Sequence, residues 1–295
     1  MAAHVHIRFL RFSAFYSPLL LTMAGGHLAA EGIEATFDVV GPDRTILDGI
    51  VDGTVHVAQS ATAVSFDPWA AGEVLPFRHF ALMNCRDGFF IARRGGANGF
   101  AWTDLERTSI IADHFFQPMA MLRAALAARG VDESAVQFID EGDVASIDRA
   151  FRAGHGDFVH LQGPAPQQME LDGVGRVVAA VGAEAPPIAF SSLCAHPDWL
   201  ATDVARAFVR AFARGHEQAR CDTPERIAEL EAPFLPGVHR SAIERAVRGY
   251  QALGCWDGGI EIGADLYDST VRLFQTFGDL TVNPAYDDVV APLPR

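Results

Sequence analysis

A β-α-β cadence runs through this chain twice, once before residue 93 and again between residues 108 and 181. Alternating apolar and polar positions mark the strands, because successive side chains on a strand point to opposite faces. The first series reads as a strand over Val5–Phe12 that carries Arg8 and Arg11, then a helix opened by Ser17-Pro18 and stopped at Gly32. Next come a strand over Ile33–Val40, a short helix around Thr45–Ile50 and a short strand over Val55–Ala58. Two strands, Phe77–Met83 and Gly88–Arg93, flank the turn Asn84-Cys85-Arg86-Asp87. The second series reads as strands over Thr108–Ala112, Val136–Ile139, Asp157–Leu161 and Val177–Val181, with helices around Met119–Leu126 and over Ser146–Ala153. Ile188–Phe190 then runs back out as a strand. This alternation predicts mostly parallel sheets covered by helices. Two series in 295 residues predict two lobes of roughly 100–150 residues with a cleft between them. Beyond residue 197 the pattern is helical: Val204, Phe208 and Phe212 share one face, Ser241 to Glu244 forms a capping box, and Gly278 ends a last helix.

Composition removes several function classes. The net charge of −14 argues against nucleic acid and anionic membrane surfaces as partners, since both recruit basic patches. The chain has no lysine, so neither a pyridoxal-phosphate Schiff base nor a phosphate-loop lysine is available. Cys85, Cys194, Cys221 and Cys255 stand alone, without a C-x-x-C pair, which reads as a reduced, intracellular inventory. The apolar run Leu19-Leu20-Leu21 is far too short to span a bilayer, and the N-terminus lacks the pattern of a secretory signal. The expectation is a cytoplasmic protein as the sequence stands, and a periplasmic one had a signal been removed. Neither H-E-x-x-H nor a tight carboxylate cluster is present, so no metal site and no cofactor are expected. The loop Gly95-Gly96-Ala97-Asn98-Gly99 precedes no helix of a dinucleotide fingerprint and reads as a flexible loop.

Three stretches carry a resemblance. They are His27-Leu28-Ala29-Ala30-Glu31-Gly32-Ile33-Glu34 with Ile46 to Ala58, then Ala150 to Phe158 with Gly163-Pro164 and Met169 to Gly175, and finally Leu200 to Ala211 with the ending Val282 to Asp287. Together, in this order and spacing, they resemble the substrate-binding proteins of sulfonate, taurine and nitrate ABC transporters, a group that also includes thiamine pyrimidine-precursor synthases. The resemblance implies an α/β, two-lobed type II periplasmic-binding-protein-like fold with a central ligand cleft and a helical C-terminal region. It implies a first lobe of residues 1–92 and 190–295, a second of 93–189, and a hinge near 91–95 and 188–192. It also implies a small-molecule ligand, hinge closure and an ABC permease as partner if the chain serves transport, with no membrane insertion of its own. The absent lysine and clustered cysteines depart from the eukaryotic pyrimidine synthases and speak against that route.

Candidate site residues follow from the strand ends, since open α/β sheets bind ligands beyond the C-terminal ends of their strands. In the loop Ser13-Ala14-Phe15-Tyr16-Ser17, backbone amides and Ser17 would cradle an anionic head group, while Ser17 reads equally as a plain helix cap. Gln59 and Ser60 follow the third strand. Arg44 and Arg86 are candidates for a bidentate grip on carboxylate or sulfonate, against the bland reading of solvated surface arginines. His114, Phe115 and Gln117 suit stacking and hydrogen bonding to a planar ligand, with Asp113 as a helix cap. His160 and Gln162 end a second-lobe strand, and His160 reads equally as a buried structural histidine. Ser191 opens the stretch Ser191-Ser192-Leu193-Cys194-Ala195-His196, read as a loop, in which Cys194 and His196 stand two apart with Cys85 near in space. A thiolate polarised by histidine is a nucleophile. Two functions are therefore expected to compete. One is reversible binding of a small organic anion or aromatic zwitterion, whether sulfonate, carboxylate or pyrimidine-like. The other is a cytosolic desulfinase, decarboxylase or other lyase working through Cys85, His114, His160, Cys194 or His196.

Overall fold

The computed structural model describes residues 2–41, 45–95, 99–278 and 280–295. In chain order its elements begin with β1 (Ala3–Phe9), α1 (Ser17–Ala24), α2 (His27–Ala30), β2 (Ile33–Val39), β3 (Val57–Ser60), α3 (Phe66–Ala70) and β4 (Arg78–Asn84). They continue with β5 (Phe89–Arg94), β6 (Ser109–Ile111), α4 (Phe116–Ala128), β7 (Gln137–Ile139), α5 (Val144–Arg152), β8 (Phe158–Gln162), α6 (Ala165–Leu171) and β9 (Gly175–Ala180). The last are β10 (Ser191–Ala195), α7 (Pro197–Leu200), α8 (Asp203–Cys221), α9 (Pro224–Glu231), α10 (Arg240–Leu253), α11 (Ala264–Phe277) and α12 (Tyr286–Val289).

Two five-stranded sheets form, ordered β2-β1-β3-β10-β4 and β7-β6-β8-β5-β9. Each is mixed rather than fully parallel. In the first, β1 pairs in parallel with β2 and β3, while β10 runs antiparallel to β3 and β4. In the second, β6 pairs in parallel with β7 and β8, while β5 runs antiparallel to β8 and β9. The reversed strand in each sheet is the one that arrives from the other lobe. A chain entering from outside meets the sheet from its cleft end, and so runs against the strands built by β-α-β crossovers.

This pairing moves the expected boundaries. The strand that the sequence reading divided at residue 92 lies wholly in the second sheet, so the first crossing spans 85–88 rather than 91–95. The return crossing spans 181–190, and the stretch read as a loop from Ser191 is a buried strand between β3 and β4. Its small side chains let it pass through the centre of the sheet, whereas the residues read as the outgoing strand, Ile188–Phe190, belong to the crossing. The two crossings bind each other: Ile188 N–H donates to Cys85 O at 3.1 Å and Phe190 N–H to Asn84 O at 3.0 Å.

Other local differences have simple causes. β1 stops at Phe9 because the next amide, Leu10 N–H, donates to the Gln59 side chain at 3.2 Å, which takes it out of the ladder. Arg11 is therefore a cleft residue and not a strand residue. Arg8 remains in the strand, nearly buried, with its guanidinium on both oxygens of Asp38 at 2.9 and 2.8 Å. The segment near Thr45–Ile50 is turns, closed by the Asp48 carboxylate on Thr45, and not a helix. α6 follows Gly163-Pro164, in a stretch to which the sequence pattern assigns no element. α10 starts earlier than the expected capping box, with His239 as its cap accepting from Ser241 N–H at 3.2 Å.

Helices cover both sheets. The pairing of α1 with α8 closes one face of the first sheet, through Leu19, Leu20, Phe208 and Phe212, all fully buried. Burying each such side chain contributes about 1.5–3 kcal/mol. Several contacts tie the lobes together. Tyr250 on α10 accepts from Gly163 N–H at 2.7 Å, Ser13 Oγ donates to Gly163 O at 2.6 Å, and Arg245 pairs with Glu170 at 3.0 Å. None of the described helices is long and apolar enough to cross a membrane.

Candidate functional site

The C-terminal ends of β1, β3, β6 and β8 meet the entering ends of β5 and β10 between the lobes, and a cavity of about 90 Å³ sits at their junction. Its walls are largely apolar, from Leu10, Phe89, Phe115, Pro118 and Phe190. The polar groups among them come from both lobes. Tyr16, Gln59, Ser60 and Ser191 line it from the first lobe, Gln117 and Gln162 from the second. A wider vestibule of about 630 Å³ opens outside it, and Leu10, Arg11 and Phe115 border both compartments. Such a mostly apolar concavity with a few convergent polar groups is the ordinary form of a small-molecule site.

Two of the buried amides are held in defined senses by one-way partners. Gln117 Nε2 donates to the carbonyl of Phe190 at 2.7 Å, an acceptor only, so Gln117 Oε1 is the end left over, and it is buried without a hydrogen-bond partner. Gln59 Oε1 accepts from Leu10 N–H, a donor only, so its amide NH₂ is the free end. Gln162 Nε2 donates to Tyr16 Oη across the lobes at 3.2 Å, and its Oε1 is likewise buried without a partner. Burial, with Asp113 adding to it and Arg11 and Gln162 opposing, pushes the Tyr16 phenol above its usual range, so it stays protonated at neutral pH. The cavity thus presents both donors and acceptors, and the unsatisfied ones carry a desolvation cost of about 1–3 kcal/mol each that a ligand would relieve.

Behind this cavity His160 is fully buried on β8, stacked on Phe89 with ring centroids 4.5 Å apart. Burial, reinforced by His114, lowers its pKa to about 3, and neither ring nitrogen has a hydrogen-bond partner. His160 is therefore a neutral hydrogen-bonding group and not a base at neutral pH. His114 stands on the vestibule wall, its Nδ1 2.9 Å from Ala112 O and 3.8 Å from Asp140. Phe115, 56% exposed, forms the lip between the compartments. Asp113 accepts from Phe115 N–H at 2.9 Å but is not the helix cap, which is Phe115 itself.

Other candidates lie elsewhere. Ser13 binds Gly163 at a neighbouring depression rather than the cavity. Ser17 is fully buried, donates to Ala14 O at 2.7 Å and faces Glu231; it neither caps α1 nor reaches the cleft. Arg44 lies outside the described residues, and the Gly95–Gly99 loop is described only at its two ends. Arg86 turns to Gly182 O at 3.3 Å in a separate depression that it shares with Cys85. The Cys85 thiol donates to Gly254 O at 3.2 Å, and burial raises its pKa. Cys194 is fully buried in β10 beside Ser60, and burial pushes its thiol up to about 12. His196 caps α7, accepting from Asp198 N–H at 3.2 Å. The proposed Cys–His pair is therefore not assembled, and none of the four cysteines lines the cleft.

Among the residues that sequence reasoning missed are Leu10, Arg11, Phe89 and Phe190. Arg11 had a visible signal, an arginine where the period-two alternation of the first strand runs out. Phe89 and Phe190 had none, because their place depends on which lobe the crossings join. Among the described residues, no cluster of three or more His, Cys, Asp or Glu can hold a metal ion.

Residues 106–227 match the model of the NMT1/THI5-like family. The resemblance read from the sequence stands. Over 94% of this chain and 84% of the relative's length, the chain is 23% identical to YtlA of Bacillus subtilis (strain 168), which carries the name of a candidate binding protein. Among solved structures, it superposes on the ligand-binding component of an ABC-type import system from Staphylococcus aureus, with zinc bound, at a TM-score of 0.73, 16% identity and coverage of 98% and 97% of the two chains. It superposes equally on the alkanesulfonate-binding protein SsuA of Xanthomonas axonopodis pv. citri bound to MOPS, at 0.71, 15% identity and 98% of both chains. At such identities the likeness is one of fold: two lobes around a central cleft.

Proposed function

We propose that this protein reversibly binds one small organic anion or aromatic zwitterion in the cavity between its lobes. The observation that carries the reading is the set of buried carboxamides from both lobes, Gln59, Gln117 and Gln162. All three line one apolar space whose aromatic walls suit a planar group, and Gln117 Oε1 and Gln162 Oε1 are buried there without partners. A pyrimidine-like or similar ring bearing both N–H and C=O groups satisfies them, and a carboxylate or sulfonate on that ring would lie toward Arg11. Because each lobe supplies part of the lining, a bound ligand draws them together, and lobe closure about the paired crossings is the working motion. In a transport setting an ABC permease would read the closed form. The geometry favours binding over the enzymatic alternative, since the thiols lie outside the cleft and His160 is a neutral, buried group.

Native mass spectrometry of the purified protein, followed by denaturing release, tests the reading. A co-purifying small molecule recovered unchanged after incubation supports it. Conversion of that molecule over time would overturn it in favour of an enzyme.

A further inference from the structure

Arg11 is the single charged side chain lining the inner cavity among the described residues, and it is already paired. Its guanidinium meets Asp113 across the lobes at 3.2 Å, and the Asp113 side chain is only 6% exposed. The vestibule outside adds Asp140 and Asp143, so its rim holds three carboxylates against one arginine and His114. A plain anion approaching this site meets negative potential. At Arg11 it would share a guanidinium that already donates to Asp113 through Nη1, so its charge would lie beside a nearly buried carboxylate of the same sign, which is costly. A zwitterion can enter the pair instead, its anionic group on Arg11 and its cationic group on Asp113, leaving no charge unpaired.

We propose that Asp113 is a charge filter, a specificity-determining residue that makes the cleft select zwitterions over plain anions. The inference rests on the binding reading above and narrows its ligand class. Asp113→Asn is the informative variant. It removes the charge, yet keeps an oxygen to accept from Phe115 N–H, the 2.9 Å bond that shapes the loop.

The test compares 4-aminobutanoate with butanoate by calorimetric titration on wild type, D113N and Arg11→Gln, with circular dichroism confirming that each protein folds. Wild type is expected to prefer the zwitterion by about tenfold. D113N is expected to bind butanoate at least about tenfold better than wild type does, erasing the preference, and R11Q to lose both compounds. A D113N that gains nothing for butanoate overturns the filter. If wild type nevertheless carries a co-purified molecule in native mass spectra, the binding reading survives that failure. A gain in D113N beside a wild type that converts its bound molecule would do the reverse.

Discussion

At the residue scale, the cleft divides side chains that can meet a ligand from those that only suggest chemistry. Gln117→Ala and Gln162→Ala each remove a buried amide that a ligand would satisfy, so each is expected to weaken binding about tenfold, in line with one hydrogen bond of about 1–2 kcal/mol. Cys85→Ser and Cys194→Ala are expected to leave affinity within about twofold, and titration of the four variants against the co-purified ligand checks both expectations. A tenfold loss in either cysteine variant would mean that the thiols reach the site after all. Buried titrating groups carry their own signature. His160 has a folded pKa of about 3, below that of an unfolded histidine, so the unfolded chain takes up its proton first as the pH falls. Stability from this group is therefore present above about pH 6.5 and lost between there and about pH 3. His160→Gln should flatten the fall in urea midpoint between pH 7 and pH 4.5, a difference on the order of 2 kcal/mol. Glu231 has the opposite sign. Burial raises it to about 8, so its contribution is present below about pH 4.5 and lost as the pH rises toward 8. Glu231→Gln should raise the urea midpoint more at pH 8 than at pH 5, and an equal rise at both would contradict a protonated, buried carboxyl.

At the element scale, the two crossings are the feature on which the cleft depends. A Cβ placed on Gly182 would stand 2.2 Å from the carbonyl oxygen of Asp87, backbone against backbone, where neither crossing can yield without moving the other. Gly182→Ala is expected to cost on the order of 3 kcal/mol, read as a lower thermal midpoint, whereas Gly173→Ala, with open space around its Cβ, should cost only the strain of its positive φ. The sequence was informative wherever one element decided the outcome. β1, β2, β4, β8 and the helices α4, α5, α8 and α11 follow from period and capping, and Tyr16, Gln59, Gln117, Gln162 and Ser191 were legible as strand-end residues. It was silent where the answer lay in another lobe. Nothing local distinguishes β5 as a strand of the second sheet, and nothing in Ser191–Ala195 marks a central strand, because small buried residues read as a loop until both neighbours are known. Arg11 was misplaced for a related reason, since a glutamine 48 residues away ends its strand.

At the scale of the whole molecule, two mixed sheets of equivalent strand order supply the loops around a small cavity, with an ion pair between the lobes beside it. In this acidic chain the inner cavity carries one charged side chain among the described residues, an arginine already paired with Asp113. The most direct measurement is a crystal structure with the compound that most raises the thermal midpoint in a screen of carboxylates, sulfonates, aromatic zwitterions and pyrimidines. Ligand density between Phe89, Gln117 and Gln162, reaching toward Arg11, is the expected result. Density at any other depression, with this cavity unchanged, would contradict the account.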